Sequence, residues 1–296
     1  MNHHEKDRVP VHPAPDTITT LSRSVIQFGP LNKRVYLMKL DTGDLPGIAP
    51  ELEKLANANG LSKICVKVPQ QAQTHFVNQG FVLEARIPAF FHGRKDGLYL
   101  AKFLHPARSQ PDPMCPQPQT ETCASMDLPN GHISKHNLPR ALPAGMSIRK
   151  LGLDMAEDIA RIFARSFSAY PFPLHDLDYL QECMQTNLCF FGLEIEGQIA
   201  ALASCEMEMT AGHVEMTDFI TLPEYRGRGL ATLILQAMEQ DMKKRNYWTA
   251  FSIARAGSPG INSVFAGQGY AYRGRLVQNT RFNKTLEDMN VWSKRL

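Results

Sequence analysis

Hydrophobic positions recur along this chain with two periods, and their alternation is the first structural signal. From residue 146 onward, apolar runs of strand length alternate with segments whose apolar residues fall at helical spacing. Ser147–Lys150 reads as a short strand, and Asp154 can cap a helix with Ile159, Ile162, Phe163 and Phe167 on one face. A Tyr170-Pro171-Phe172-Pro173 turn leads to a second helix around Asp176–Gln185. Strands are expected at Leu188–Glu194 and Gln198–Glu206, joined through the hairpin signal Glu196-Gly197, and at Val214–Leu222. Gly229–Lys244 carries Leu230, Leu233, Ile234 and Met238 at helical spacing. There follow a strand at Thr249–Ala254, a short helix around Asn262–Gln268, and strands at Tyr270–Gln278 and Leu286–Trp292. The order β-α-α-β-β-β-α-β-α-β-β predicts an α/β fold with a mixed, twisted sheet and helices on both faces.

The front of the chain gives a shorter version. Strand Arg34–Leu40, helix Pro50–Asn59, strand Lys63–Val68, helix Gln70–Gln79 and strands Phe81–Ile87 and Leu98–Phe103 are expected there. A local pattern repeats between the two parts. Phe76-Val77-Asn78-Gln79-Gly80-Phe81, with Arg86-Ile87 after it, parallels Phe265-Ala266-Gly267-Gln268-Gly269-Tyr270 with Arg275-Leu276. In each, a helix ends at a glycine able to turn left-handed before an aromatic opens a strand. The match points to internal duplication. Between Pro106 and Pro143 lie eight of the twenty prolines, with no hydrophobic period. The division that follows is a mobile tail over 1–20, a front domain over 21–105, a linker over 106–145 and a back domain over 146–296.

Composition narrows the function classes. Hydrophobic residues are 43% and charged residues 21% of 296, which suits a chain with a sizeable core. A formal charge of +3 and the lack of any long Lys/Arg run give no nucleic-acid footprint. No apolar stretch is long enough for a membrane-spanning helix, and the start is too polar for a signal peptide. Six cysteines in a chain this long make no disulfide frame, so a reducing, cytoplasmic setting is expected. Cys115, Cys123, His132 and His136 lack the short cysteine pair of a structural zinc site, and no metal is expected.

The chemistry concentrates in Pro223-Glu224-Tyr225-Arg226-Gly227-Arg228-Gly229-Leu230-Ala231, between strand Val214–Leu222 and helix Gly229–Lys244. Two glycines let the backbone pass close to a ligand, and the helix start behind them offers unpaired N–H groups and a positive dipole end. That is an anion site suited to a pyrophosphate; a solvated basic turn would use the same glycines for shape alone.

At these residues the chain resembles the GNAT superfamily of acetyl-CoA-dependent N-acetyltransferases. Arg226, Gly229 and Ala231 occupy the fixed positions of that family's Arg/Gln-x-x-Gly-x-Gly/Ala loop. The resemblance covers about Met146 to Trp292 and implies the GNAT acyl-CoA N-acyltransferase fold, with the front part a smaller, degenerate GNAT-like domain. It implies that Phe219, Ile220, Thr221 and Leu222 pair with the pantetheine arm of acetyl-CoA. Arg226, Gly227, Arg228, Gly229, Leu230 and Ala231 would hold the pyrophosphate, and the strand before the loop would splay from Thr249–Ala254. Glu215-Met216-Thr217-Asp218-Phe219, Ser258-Pro259-Gly260-Ile261-Asn262 and Met289-Asn290-Val291-Trp292 are similar to the β-lysine N-acetyltransferases. Those proteins acetylate the ε-amine of β-lysine to make a compatible solute. A polyamine or protein-lysine acetyltransferase and a non-catalytic acyl-CoA sensor are the competing readings.

An ε-amine with a free pKa near 10.4 arrives protonated, so a base must take a proton. Glu215 and Asp218 are the candidates. Their offset of three places them on opposite faces of a regular strand, so only one is expected to point inward, with Glu215 preferred. Many GNAT members carry a tyrosine where this chain has Phe265, which leaves Tyr270, Tyr272 or unaided departure of the thiolate. Asn262 could bond the pantetheine or the acetyl carbonyl, or simply cap its helix. Tyr170, Phe172, His175 and Asp176 border the expected acceptor site. Asp176 is placed for the spare ammonium, and Arg273 or Arg275 for a carboxylate. The expected partner is a small-molecule amine, with neither nucleic acid nor membrane, and a homodimer is compatible with the reading.

Overall fold

The computed structural model describes residues 15–115, 117–118, 142–143, 145–167, 170–282 and 285–296. Most of the stretch read as a linker, together with Cys123, His132 and His136, lies outside the described residues. Among the described residues there is no cluster of metal-ligating side chains and no helix long and apolar enough to cross a membrane.

The back half contains β7 (Met146–Leu151), α3 (Ala156–Ser166), α4 (Leu177–Thr186), β8 (Leu188–Ile195), β9 (Gln198–Glu208) and β10 (His213–Thr221). It continues through α5 (Leu230–Lys244), β11 (Thr249–Arg255), α6 (Pro259–Gly267), β12 (Ala271–Phe282) and β13 (Thr285–Arg295). The order is the one its periodicity predicts. Helices cover both faces: α5 and α6 pack on the cluster of Val214, Met216, Ile234, Met238 and Phe265. On the other face α3 and α4 pack on Ile159, Phe163, Leu180, Phe190 and Leu202.

The front half contains β1 (Thr17–Leu21), β2 (Ser24–Gly29), β3 (Arg34–Lys39), α1 (Leu45–Ala58), β4 (Lys63–Pro69), α2 (Gln73–Asn78), β5 (Val82–Phe91) and β6 (Lys95–Phe103). Residues 17–20, expected as tail, therefore belong to an edge strand. The Thr/Ile alternation there was too short and exposed to signal one. Residues 106–115, expected as linker, lie against the back half, with the Asp112 N–H donating to Asp288 at 3.0 Å and Gln278 donating to the Ala107 and Gln110 carbonyls.

Among the described residues thirteen strands form one sheet, in the order β1-β2-β3-β4-β6-β5-β12-β13-β11-β10-β9-β8-β7. Read outward from its centre, β5-β6-β4-β3-β2-β1 mirrors β12-β13-β11-β10-β9-β8. β3 and β4 are parallel across α1, as β10 and β11 are across α5. The halves meet at Ala85↔Gly274, which occupy the same place in the repeated sequence pattern. A side chain at Gly274 would strike the Glu84 carbonyl and Ala85, so glycine permits the close approach there. Regular pairing stops after this one bridge, and buried charge takes over. Lys63, fully buried, pairs with Glu84 at 2.9 Å and donates to the Val277 carbonyl, while Glu84 accepts from the Val277 N–H.

Candidate active site

Strand β10 carries the site. It pairs with β11 only from His213↔Thr249 to Glu215↔Phe251, although both strands run on for several residues. Beyond Glu215 they part, and the backbone of Phe219–Leu222 borders the resulting cleft. On its other edge β10 pairs with β9, but the register shifts between Thr217↔Ser204 and Ile220↔Leu202. Three steps on β10 answer two on β9, which is a β-bulge. Asp218 sits in it with φ +56°, in the left-handed region. The extra residue resets the alternation, so Asp218 joins Glu215 on one face instead of opposing it. The expectation that only one carboxylate points inward is corrected by this bulge.

Both carboxylates line a cavity of about 270 Å³ over the seam between the halves. The back half contributes Glu206, Glu215, Asp218, Tyr170 and Phe172; the front half contributes Arg34, Tyr36, Lys67 and Tyr99. Glu206 stands directly across from Glu215 on β9. Burial, and then the neighbouring Glu206 charge, push Glu215 up to about 8, against the pull of Lys67 and of an Ile253 backbone hydrogen bond. Burial also raises Glu206, with Lys67 opposing it. Asp218 is raised by burial and drawn back by hydrogen bonds from Ser204 Oγ and Tyr170 Oη. A carboxylate held near 8 is a much stronger base than one in water, and an ammonium entering this cavity meets three acidic groups.

The loop after β10 has the shape that its glycines suggest. Gly227 and Gly229 take φ of +77° and +73°, with nothing within 4 Å of where a Cβ would stand. Gly229 precedes α5, and no side chain caps that helix, so the N–H groups of Leu230 and Ala231 are free of intrahelical acceptors. The Arg226 guanidinium donates to the Thr221 carbonyl at 3.1 Å, and Arg228 to the Glu224 carbonyl at 3.2 Å. An uncapped helix start, an unobstructed glycine turn and a split strand pair together fit the pyrophosphate and pantetheine of an acyl-CoA. The front half is built differently there: Asp44 precedes α1 and is engaged by Arg23 and Ser24.

This chain matches the acetyltransferase (GNAT) family over residues 155–262. Over 281 residues it is 31% identical to the β-lysine N(6)-acetyltransferase of Methanococcus maripaludis, covering 94% of this chain and 98% of that protein. The chain belongs to the GNAT acetyltransferases. It is 29% identical over 270 residues to the β-lysine N(6)-acetyltransferase of Methanosarcina mazei, across 86% of this chain and 98% of that one. It is 27% identical over 273 residues to the N-acetyltransferase YodP of Bacillus subtilis, across 92% and 96%. As a GNAT enzyme it transfers the acetyl group of acetyl-CoA to an amine.

Several sequence-predicted residues of this GNAT chain lie elsewhere. Asp176 is exposed and caps α4, accepting from the Tyr179 N–H at 3.0 Å. Arg275 is buried beside Asp288 and donates to Asn290 and to the Cys115 carbonyl; Arg273 donates to Ser293. None of the three lines the cavity. Asn262 is fully committed: its amide donates to the Arg255 and Ser258 carbonyls at 2.9 and 2.7 Å, and its oxygen accepts from Asn290 and Trp292, both at 2.9 Å. That leaves no side-chain bond for a ligand. Phe265 is fully buried against Phe219 and Tyr270. Tyr272 packs edge-on to Trp292, and neither tyrosine reaches the cavity.

Sequence reasoning missed Glu206, Lys67, Arg34 and Tyr36. A charged residue inside an apolar strand, as in Ile64-Cys65-Val66-Lys67-Val68, was the available signal.

Proposed function

We propose that the cavity is the acceptor site for β-lysine, whose N6 amine is acetylated with Glu215 as the base. The observation that carries this reading is the placement of Glu215, Glu206 and Asp218 in one cavity beside the split between β10 and β11. An ammonium bound there is stabilised by the acidic groups, and its proton passes to Glu215, directly or through water. The freed lone pair then faces the cleft bordered by Phe219–Leu222. Acetyl-CoA supplies the activated acyl group as a thioester. The backbone of Phe219, Ile220, Thr221 and Leu222 would hold its pantetheine arm, and the N–H groups of Arg226–Ala231 its pyrophosphate. Lys67 keeps the carboxylates from all being protonated at once, since its charge opposes the shifts of both Glu206 and Glu215.

The identity of the acceptor rests on the two β-lysine N(6)-acetyltransferases matched over most of this chain. We propose the front half as a degenerate copy of the same fold, which serves to close the acceptor site. Its mirrored strand order supports this, as does the Asp44–Arg23 pair at the start of α1. Every group invoked comes from one chain, so self-association is no part of the mechanism. Five cysteines among the described residues are free thiols, which suits a reducing cytoplasm.

The test is release of free coenzyme A with β-lysine, spermidine and a lysine peptide as competing acceptors, and mass spectrometry of the product. Acetylation at N6 of β-lysine with the highest kcat/KM is expected. A higher value for spermidine or the peptide overturns the acceptor assignment.

A further inference from the structure

We propose that Arg34 and Asn279, facing each other across the seam between the halves, form a receptor for the ammonium–carboxylate head of the acceptor amino acid. The proposal deepens the β-lysine reading and rests on it. Arg34 opens β3 in the front half, and Asn279 lies on β12 of the back half. Both line the cavity and both are buried, at 5% and 4% exposure. One guanidinium N–H of Arg34 donates to the Asn279 carbonyl at 2.6 Å, which fixes the fork. Two buried polar atoms remain without a partner among the described residues: Arg34 Nε, a donor, and the side-chain oxygen of Asn279, an acceptor. Buried polar atoms are rarely left bare, so a bare donor and a bare acceptor on two hydrogen-bonded residues that both line the cavity point to a ligand that brings both partners.

The chemistry selects among ligands. An inorganic anion satisfies Arg34 and leaves the Asn279 oxygen bare. A diamine satisfies Asn279 and leaves the guanidinium bare. A carboxylate and an ammonium on one small molecule satisfy both, the carboxylate against the planar guanidinium and the ammonium against the amide oxygen.

Position agrees with this assignment. β3 and β4 are parallel with Arg34 level with Lys63, so Arg34 and Lys67 lie at opposite ends of the seam. Lys67 is the cation that acts on Glu206 and Glu215, whereas Arg34 lies 5.1 Å from the Tyr36 ring centre, and the Tyr36 phenol feels both Arg34 and Glu215. Tyr36 therefore stands between the head-group receptor and the base. The front half thus reads the part of the acceptor that does not react.

The experiment measures kcat/KM for β-lysine, for pentane-1,4-diamine, which lacks only the carboxylate, and for 6-aminohexanoate, which lacks only the second amine. The wild type, Arg34→Met and Asn279→Leu are compared, with acetyl-CoA affinity and melting temperature as controls for folding. The wild type is expected to prefer β-lysine to either analogue by about 100-fold or more, because a site built for a polar group rejects the molecule lacking it. Arg34→Met should erase most of the preference over the diamine, and Asn279→Leu most of that over 6-aminohexanoate. If Arg34→Met fails to fold, the Asn279→Leu ratio decides alone. Equal wild-type activity on β-lysine and the diamine overturns the receptor, as do variants that lower all three substrates in proportion; acetyl transfer then stands. A wild type that acetylates none of the three overturns the β-lysine reading itself.

Discussion

Replacing Glu215 with glutamine should stabilise this protein while stopping its chemistry, and the two effects have one cause. The folded Glu215 carboxyl is raised from an ordinary 4.5 to about 8 by burial and by Glu206. Between those values the folded state holds a proton that the unfolded chain has released, so stability falls as pH rises through this window. From 4.5 to pH 7 there are about 2.5 pH units at ~1.36 kcal/mol each, or about 3 kcal/mol. Water in the cavity screens part of this, so it is an upper bound. Glu215→Gln keeps the shape and removes the titration, and its melting temperature should exceed the wild type's by a few degrees at pH 8, with little difference at pH 4.5. Turnover should drop roughly 10²–10⁴-fold, the usual range for loss of a general base. In the wild type, kcat/KM should climb about tenfold per pH unit up to about pH 8, as Glu215 ionises. A bound ammonium favours the carboxylate, so the break in kcat should lie at lower pH than that in kcat/KM. Stopped-assay kinetics from pH 5.5 to 9 and calorimetric melting at pH 4.5 and 8 read both effects. Full turnover by Glu215→Gln, or a melting difference that does not grow with pH, refutes the reasoning.

Other perturbations test the frame around the base. Lys63→Met leaves Glu84 charged and buried at the seam, and urea unfolding should show a loss of about 3–5 kcal/mol; adding Glu84→Leu should recover much of it. Gly229→Val forces a β-branched residue into φ +73°, which displaces the N–H groups at the start of α5; acetyl-CoA affinity by calorimetry should fall at least about tenfold, at a strain of roughly 1–3 kcal/mol. Asn262→Ala removes four side-chain bonds, one to the Ser258 carbonyl at the start of α6 and three that tie α6 to β11 and β13, and the melting temperature should drop by several degrees, as expected for a loss of about 2–3 kcal/mol.

The sequence alone determined the order of elements in the back half, the β10–loop–α5 turn and the repeated Gln-Gly-aromatic pattern, because each is a local matter. Hydrophobic period follows from how a strand or helix buries one face, and a glycine turn is written in consecutive residues. Glu215 was legible for the same reason: it lies on the strand that precedes the loop. The tertiary structure decided the rest. Whether Asp218 faces Glu215 or opposes it depends on a bulge, and a bulge exists only against a partner strand. Asn262 is a ligand candidate by its place in the sequence, but residues from two other elements, Arg255 and Trp292 among them, consume its hydrogen bonds. Arg273 or Arg275 is the cation expected from the sequence, but the cavity takes Arg34 and Lys67, which stand more than a hundred residues before β10. Their arrival depends on thirteen strands joining across Ala85 and Gly274, and no periodicity within one segment encodes which edge a sheet will present to another.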